Sequence, residues 1–559
     1  MSRQVLLINI TRMGDLVQMG ALLDRLQQEW PGAAVDLVVD RRFAPVAALL
    51  PHLRHVVTYD FHALVDEARV NARDVVTLYR DVAAWALPLT QAGYDRVINL
   101  TFNKRSGLLA SYIGAPEMRG IAAARDGRVM IHNEWMAYLT DMHHHRRFNR
   151  FNLVDIYAWG GSGPGRFAPL SVAVPEAARE WARGFLSRHA SSITRWMAVQ
   201  VGASDVMKAW RPEYFGHTLA GLCKQSDIGL VFIGSPQEAG AIEEATRAYR
   251  AAGGRLSPAN AAGRTDLVQL AALLAECRLL LTNDTGPMHL AVGVGTPVID
   301  VSVGHVDFHE TGPYGPGHWV VQPDLACAPC GFDQVCFHHA CKDRVAPEDM
   351  AALCRHVLGD GPFPERAGGV RIYESGIDED GLATYRLRTG REEPLSAWYG
   401  ALWREIWFQS FTGSRSACPH PPDPPPDLDE ALRILTQLLP LAARLESRSQ
   451  TMTALAGRRP LPAAEIKQAQ AQDEKDRANA VDWGLRSPAS APATIALLRD
   501  LQSDEGPTLA AMAQARATGF RRWHARLAAV ANKLKQFGGK PGRSTQRRPP
   551  LIVLAARPA

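Results

Sequence analysis

At 559 residues the chain is long enough for two or three domains, each with its own core. Its 46% hydrophobic and 21% charged residues are the composition of a soluble globular protein, and a formal net charge of +5 is too small for wholesale nucleic-acid binding. No apolar run approaches the roughly 18 to 20 residues of a membrane span.

Met1 to Ile8 enters a strand almost at once, with neither an apolar signal core nor a small-residue cleavage site, so the expected compartment is the cytoplasm. Val5 to Ile10 reads as a buried parallel strand, Thr11 to Asp15 as the loop after it, and Leu16 to Trp30 carries helical apolar spacing. A strand at Val35–Asp40, a helix near Pro45–Leu50 and a strand at His55–Tyr59 continue the alternation, which argues for a parallel sheet covered on both faces. Helical patterns near Ala63–Arg69 and Val75–Ala92 lead to the strand Arg96–Leu100. Its carboxyl end opens into Thr101-Phe102-Asn103-Lys104-Arg105-Ser106 and a helix to Ile113, which places two cations for a ligand in the sheet crevice or for a solvated helix start.

Asp141 to Phe148 is locally basic, and its three successive histidines do not share one helix face, which argues against a compact metal site built from all three. A helix Arg150–Trp159 ends in the run Gly160 to Gly165, the best candidate for a domain boundary. A second alternating unit follows: helix Glu176–His189, strand Trp196–Val201, the loop Gly202 to Pro212, helix Glu213–Lys224, strand Leu230–Gly234, helix Pro236–Ala252, the polar stretch Asn260–Thr265 and helix Asp266–Glu276. It leads into Arg278 to Ala291, read as a buried strand, a sharp polar turn at Asp284-Thr285-Gly286-Pro287, and a short helix with a further strand beyond. Asp284 or Thr285 is placed to cap that helix, Pro287 suits its first turn, and Gly286 leaves room for a ligand at the free N–H groups. A helix start at a strand's carboxyl end suits a phosphate or sugar phosphate; the plain alternative is an ordinary structural cap.

Four of the eight cysteines, Cys327, Cys330, Cys336 and Cys341, form the spacing C-x2-C-x5-C-x4-C, while Cys223, Cys277, Cys354 and Cys418 are isolated. In a cytosolic chain such a cluster is a metal site or a reduced loop rather than a disulfide framework, and four thiolates suit a closed tetrahedral zinc or iron site. Beyond about residue 355 the pattern changes: Val370–Leu387 reads as a hairpin, Ala397–Phe411 as an aromatic-rich helix, Pro419–Pro426 as a linker, and helical patterns start near Leu428. Arg521, Arg522, Arg526, Lys533, Lys535, Lys540, Arg543, Arg547 and Arg548 make a basic end that suits an anionic membrane surface, a nucleic acid or an acidic partner, or is simply solvated.

Polar residues thus cluster in four loops at strand carboxyl ends: Gly14-Asp15, Asn103 to Ser106, Ser204 to Trp210 and Asp284 to His289. Together they resemble the glycosyltransferase family that contains the bacterial lipopolysaccharide heptosyltransferases, glycosyltransferase family 9. The resemblance spans roughly residues 4 to 355 and is strongest in Met13-Gly14-Asp15-Leu16 and Thr282 to Ala291. It implies an α/β, GT-B fold: two Rossmann-like domains facing across a cleft, here with a mostly helical C-terminal extension. The implied domains are 1–165 for the acceptor, 166–358 for the nucleotide sugar with the Cys-rich loop 327–341, an accessory segment 359–418, a linker 419–427 and a basic-ended tail 428–559.

The implied reaction is inverting transfer of a heptose or similar sugar from an ADP-sugar, usually ADP-heptose, to a lipopolysaccharide-core or related envelope acceptor, lipid-linked or glycan. No cofactor or essential metal is implied for catalysis, no nucleic acid is expected, and a peripheral contact with the cytoplasmic face of the inner membrane is. Asp15 matches the family's general base, although an Asp at a helix start is also a natural cap. Lys208 matches the lysine near the diphosphate, with Ser204 adding a hydroxyl. Asp284, Thr285, Gly286 and His289 match the sugar and phosphate contacts, Asn260 to Thr265, with Gly263, the segment beside adenosine, and Lys104 and Arg105 the acceptor side. Gln18-Met19-Gly20-Ala21 replaces the turn where the family has a proline, and the tail has no counterpart in a minimal heptosyltransferase. Two alternatives stand beside this: a protein O-glycosyltransferase of the same fold, and a metal-containing nucleic-acid-binding or scaffold protein.

Overall fold

A computed structural model describes residues 3–64, 74–124, 126–143, 145–332, 334–502 and 508–537. The chain forms two compact units: Met1–Ala137 with Phe151–Glu392, and Tyr138–Arg150 with Glu393–Ala559.

The first unit holds two sheets. In the first, β1 (Gln4–Ile8), β2 (Ala34–Asp40), β3 (Leu53–Tyr59), β4 (Arg96–Asn99), β5 (Glu117–Ala123) and β6 (Val129–His132) lie in the order β3-β2-β1-β4-β5-β6. All neighbours run parallel except β6 on β5. Strands β1, β2 and β4 are buried on both faces because helices cover both, which is why they are rich in Val, Leu and Ile, with Asp36 and Asn99 buried among them. In the second sheet, β7 (Trp196–Gln200), β8 (Gly229–Ile233), β9 (Ala259–Asn260), β10 (Leu279–Asn283), β11 (Val298–Val301) and β12 (Trp319–Pro323) are extended by β13 (Val370–Ile377) and β14 (Ala383–Thr389), in the order β14-β13-β12-β11-β10-β7-β8-β9. Both sheets are therefore doubly wound and Rossmann-like, the two halves of the GT-B architecture. Strand order reverses beside β1 in one and beside β7 in the other.

The two halves are bound to each other by buried polar contacts. Asp155, on the helix Leu153–Ser162, accepts from the Tyr314 hydroxyl at 2.8 Å and from the Ala383 N–H at 2.8 Å. Asn152 donates to the Tyr385 hydroxyl at 2.9 Å. The hairpin at 370–389 thus both lengthens the second sheet and meets the first domain's last helix.

Several local expectations change. The helix begins at Met13, not after Asp15, and the run to Trp30 is two helices, Met13–Gln18 and Gly20–Glu29, that share Met19 as a boundary. The Gly-rich helix runs on through Ser162, because Gly160 and Gly161 admit the side chains of Met136 and Leu22: a Cβ there would lie 2.8 Å and 2.5 Å from them. These glycines serve close packing before Gly163 ends the helix at φ 110°. Strands β5 and β6 and the helix Glu134–Met142 form where no pattern was read. The helical pattern near Ala63–Arg69 falls mostly outside the described residues.

The second unit is helical, with Pro394–Thr412, Leu428–Ala456, Ala463–Gly484, Ala491–Gln502 and Leu509–Lys535 as its long elements. Trp403, Trp407 and Trp523 are fully buried in it. The described part of the basic end is partly used in packing: Arg526 lies 4.2 Å over the Trp407 ring and Lys533 pairs with Glu405 at 2.8 Å, whereas Arg521, which faces Glu446 at 3.5 Å, Arg522 and Lys535 are exposed. The remaining cations, Lys540 to Arg548, lie outside the described residues. Among the described residues no helix is long and apolar enough to cross a membrane.

Candidate active site

In a doubly wound sheet the crevice for a ligand opens at the carboxyl ends of the strands where the order reverses. The four loops singled out in the sequence are the ones that follow β1 and β4 in the first sheet and β7 and β10 in the second. They meet. A Cβ on Gly14 would lie 3.1 Å from His289 Cδ2, and one on Gly286 would lie 2.4 Å from Met13 Cε. Glycine at both places lets two helix starts from opposite domains touch.

Asp15 sits in the first turn of Met13–Gln18, and its backbone carbonyl accepts from Asn9 Nδ2 at 3.0 Å. Its side chain does not cap that helix; Arg12 holds the cap position. The carboxylate accepts from the Thr11 hydroxyl at 3.3 Å. Burial raises its pKa, Arg12 and Thr11 pull it back, Asp284 across the cleft raises it further and Lys208 lowers it. A carboxylate with a raised pKa has the chemistry of a general base.

On the other side Lys208 Nζ pairs with Asp284 Oδ2 at 3.2 Å, and the same oxygen accepts from the Thr311 hydroxyl at 3.2 Å. The loop that carries Lys208 is held by Asp205, which caps the short turn Val206–Lys208 by accepting from the Met207 N–H at 2.8 Å. Gly304 backs it: a Cβ there would lie 2.2 Å from the Met207 carbonyl oxygen. Asn283 accepts from the Trp210 N–H at 2.9 Å and donates to the Val201 carbonyl at 2.8 Å, which ties the ends of β10 and β7 together.

The helix Gly286–Gly293 begins with Pro287 in its first turn, but neither Asp284 nor Thr285 caps it with a side chain. Asp284 is committed to Lys208 and Thr311, and the Thr285 hydroxyl faces that of Thr282 at 3.2 Å. The first N–H groups of this helix are therefore left without a side-chain cap, as an anion site needs. His289 is buried, its Nδ1 meets no partner among the described residues, and burial pushes its pKa down to about 4, so the ring is neutral near pH 7.

Other expected residues lie farther out. Asn260 ends β9, two strands from β7, a separation of about 10 Å. Its side chain accepts from the Ala262 N–H at 3.0 Å, and Gly263, at φ 67°, donates to the Gly234 carbonyl at 3.0 Å. Ser204 is exposed on the loop after β7, and Lys104 and Arg105 are exposed at the start of the helix Lys104–Ile113. The loops after β1 and β4 are joined by the Ile10 N–H donating to the Thr101 hydroxyl at 2.9 Å, but neither cation is paired with Asp15.

Sequence reasoning passed over Glu238. Its carboxylate accepts from Gln200 Nε2 at 2.6 Å and from the Ser235 N–H at 2.5 Å. A Cβ on Gly202 or Gly234 would lie within 2.0 Å and 2.9 Å of its oxygens, so it fills the floor between the ends of β7 and β8. The signal was present as the capping box Ser235-Pro236-Gln237-Glu238. Thr311, which arrives from a distant segment, left none.

The four clustered cysteines share one loop; Cys330 and Cys341 are buried, Cys336 is half-buried and Cys327 exposed. Burial and the other three thiols push Cys330 up to about 11. Among the described residues no three of these sulfurs lie within 4.8 Å of one another. The loop packs on the Lys208 segment: Lys342 Nζ donates to the Val206 carbonyl at 2.6 Å, and the Cys330 N–H to the Gly304 carbonyl at 2.9 Å.

The model of the family described as glycosyltransferase family 9 (heptosyltransferase) matches residues 82–340, a span that covers three of the four loops. Residues 82–340, a little under half of the chain, are thus similar to glycosyltransferase family 9. The chain is 22% identical over 321 residues to the lipopolysaccharide core heptosyltransferase OpsX of Haemophilus influenzae, covering 56% of this chain and 82% of that one. It is 25% identical over 337 residues to the lipopolysaccharide heptosyltransferase 1 of Pseudomonas aeruginosa, covering 58% and 86%. The solved structure of E. coli ADP-heptose lps heptosyltransferase II overlays with a TM-score of 0.48 at 18% identity, over 64% of this chain and 99% of that one. The chain is thus a glycosyltransferase, which displaces the nucleic-acid-binding scaffold as its class.

Proposed function

We propose that this enzyme transfers a heptose, with inversion, from an ADP-sugar to a lipopolysaccharide-core acceptor. The observation that carries the reading is the meeting of the two strand-reversal points, which sets the Asp15 carboxylate beside Asp284 and Lys208. The donor and acceptor classes are taken from the names of the curated relatives and from the family resemblance of the four loops.

In this reading the acceptor hydroxyl lies against Asp15, which takes its proton as the oxygen attacks the anomeric carbon. The bond from that carbon to the diphosphate oxygen breaks on the opposite face, so the anomeric centre inverts. Lys208 and the uncapped N–H groups of Gly286–Gly293 stabilise the charge that develops on the departing ADP. Asp284, with Oδ2 held by Lys208 and Thr311, offers Oδ1 to a sugar hydroxyl. Ser204 contributes a phosphate contact, Asn260 and Gly263 flank the adenosine, and Lys104 and Arg105 hold anionic groups of the acceptor. The cysteine loop suits a structural zinc or iron by its donor set, and Cys327, Cys330, Cys336 and Cys341 would hold it once the loop draws in. The transfer uses none of these thiols.

The test is turnover of ADP-heptose against other nucleotide sugars, read as nucleotide release with and without a lipopolysaccharide-core fragment, and the anomeric configuration of the product by NMR. Release stimulated by the fragment, with an inverted product, is expected. Selective use of a uridine nucleotide sugar or a retained configuration would sink the reading, and label found only on protein would move the acceptor to a protein hydroxyl. Elemental analysis of the purified protein decides the metal: less than a tenth of an equivalent of zinc or iron, on the order-of-magnitude scale of a structural site, removes it.

A further inference from the structure

Asp300 is fully buried in the middle of β11, and neither of its carboxylate oxygens meets a hydrogen-bond donor among the described residues. Its neighbours Ile299 and Val301 belong to the apolar core on one face of the second sheet, so Asp300 turns to the other face. There it stands between its register partners Thr282 of β10 and Val320 of β12. Val320 packs with Phe308, Tyr373 and Tyr385, which makes one wall apolar and aromatic. Two residues beyond Thr282, β10 has ended and the chain reaches Asp284.

An ionised carboxylate in such a place, with no donor and no cation in contact, costs several kcal/mol. Among the charged groups around it, Asp284 acts on it first and opposes ionisation; Lys208 favours it. The other titratable groups on the packed elements are His289 on Gly286–Gly293, Tyr373 and Tyr385 on the hairpin, and Asp307, His309 and Glu310 on the segment before Thr311. None of them is hydrogen-bonded to Asp300.

We propose that Asp300 is a positioning residue of the donor pocket, its uncharged carboxyl leaving Asp284 as the one negative partner of Lys208 where a diphosphate has to sit. The inference rests on the reading of this pocket as the site of an ADP-sugar. With Asp300 neutral, the Asp284–Lys208 pair sums to zero and Lys208 can turn to the diphosphate. Full burial without a hydrogen-bond donor raises the pKa of Asp300 well above its usual range, which favours the neutral form, and that form is lost as pH rises. Its ionisation then adds a second carboxylate beside the phosphates, which weakens donor binding without touching the attacking hydroxyl.

The experiment measures ADP binding by calorimetry and donor KM and kcat on the full chain, from neutral to alkaline pH. In the wild type ADP affinity and donor KM worsen on the order of tenfold toward alkaline pH. Over the same range kcat holds, and alkaline ADP binding takes up a proton, seen as a dependence on buffer ionisation enthalpy. Asp300→Asn removes that alkaline weakening and the proton uptake, and Asp300→Leu, which needs no buried polar partner, does the same if the Asn variant folds poorly. An alkaline weakening that persists in either variant, or none in the wild type, overturns the proposal. If the wild type binds no ADP at any pH, the ADP-sugar reading itself falls and takes this inference with it, an outcome distinct from binding that is simply indifferent to Asp300.

Discussion

Replacing Asp15 by Asn removes a charge and a proton acceptor while keeping the side chain's size, and the surroundings of this residue set what should follow. The carboxylate accepts one hydrogen bond, from Thr11 at 3.3 Å, which an amide oxygen can also accept, so the helix start should persist. What disappears is the ability to take the acceptor's proton. General-base assistance is worth about 10²–10⁴ in rate, or roughly 3–5 kcal/mol of transition-state stabilisation. Because Asp284 is among the groups that raise Asp15's pKa, the substitution also relieves a repulsion across the cleft, so ADP affinity should hold or tighten slightly. The pH profile supplies the sign. Asp15 must be ionised to act, and its pKa is raised, so wild-type kcat/KM climbs with pH through a value above the usual 3.8. The variant loses that climb. The assay pairs nucleotide release in the presence of acceptor with ADP calorimetry. A variant rate within about tenfold of wild type, or a loss of ADP binding as large as the loss of rate, would refute the assignment.

Three further outcomes follow from the geometry. Asp155→Ala strands the buried Tyr314 hydroxyl and the Ala383 N–H, each 2.8 Å from the carboxylate, and should cost roughly 2–5 kcal/mol of stability; an unchanged denaturant midpoint would count against the clamp between the two halves. Gly304→Ala puts a Cβ 2.2 Å from the Met207 carbonyl at a φ of 67°, so it should displace the Lys208 loop and weaken ADP binding by at least about tenfold, with unaltered affinity as the refuting result. His289 has a folded pKa near 4 against 6.5 for the free side chain, so the unfolded chain binds more protons as pH falls between them. Stability from this one group therefore drops with acidification, by about 2 kcal/mol at roughly pH 5. His289→Gln should flatten that part of the urea-unfolding pH profile, and a parallel profile would contradict it.

The legible parts of this chain were those with strong local patterns. Buried parallel strands such as Val5–Ile8 and the Leu279–Leu281 part of β10 begin as continuous apolar runs, and the helix Glu176–His189 has the bounds its spacing predicts, because helix-covered strands and amphipathic helices write their burial into neighbouring positions. Strands β5 and β6 escaped because Glu117-Met118-Arg119-Gly120 lacks that regularity and owes its place to pairing with β4. The Gly160–Gly165 run reads as a domain boundary; that Gly160 and Gly161 also make room for Met136 and Leu22 is a demand only the packed partner reveals. Likewise the basic helix near the end appeared unopposed in sequence, while Glu446 and Glu405 meet its cations from far upstream.

The sequence by itself determined the alternation of strands and helices, the four polar loops at strand ends and the residue types that make Asp15, Lys208 and Asp284 chemically plausible, since each depends on neighbours along the chain. Only the tertiary structure decided that these loops all sit at the two points where strand order reverses, that Gly14 and Gly286 let the opposed helix starts touch, that Glu238 meets Gln200 and that Thr311 meets Asp284. Strand order and inter-domain contact join residues up to hundreds of positions apart, and no local preference encodes which of them will meet.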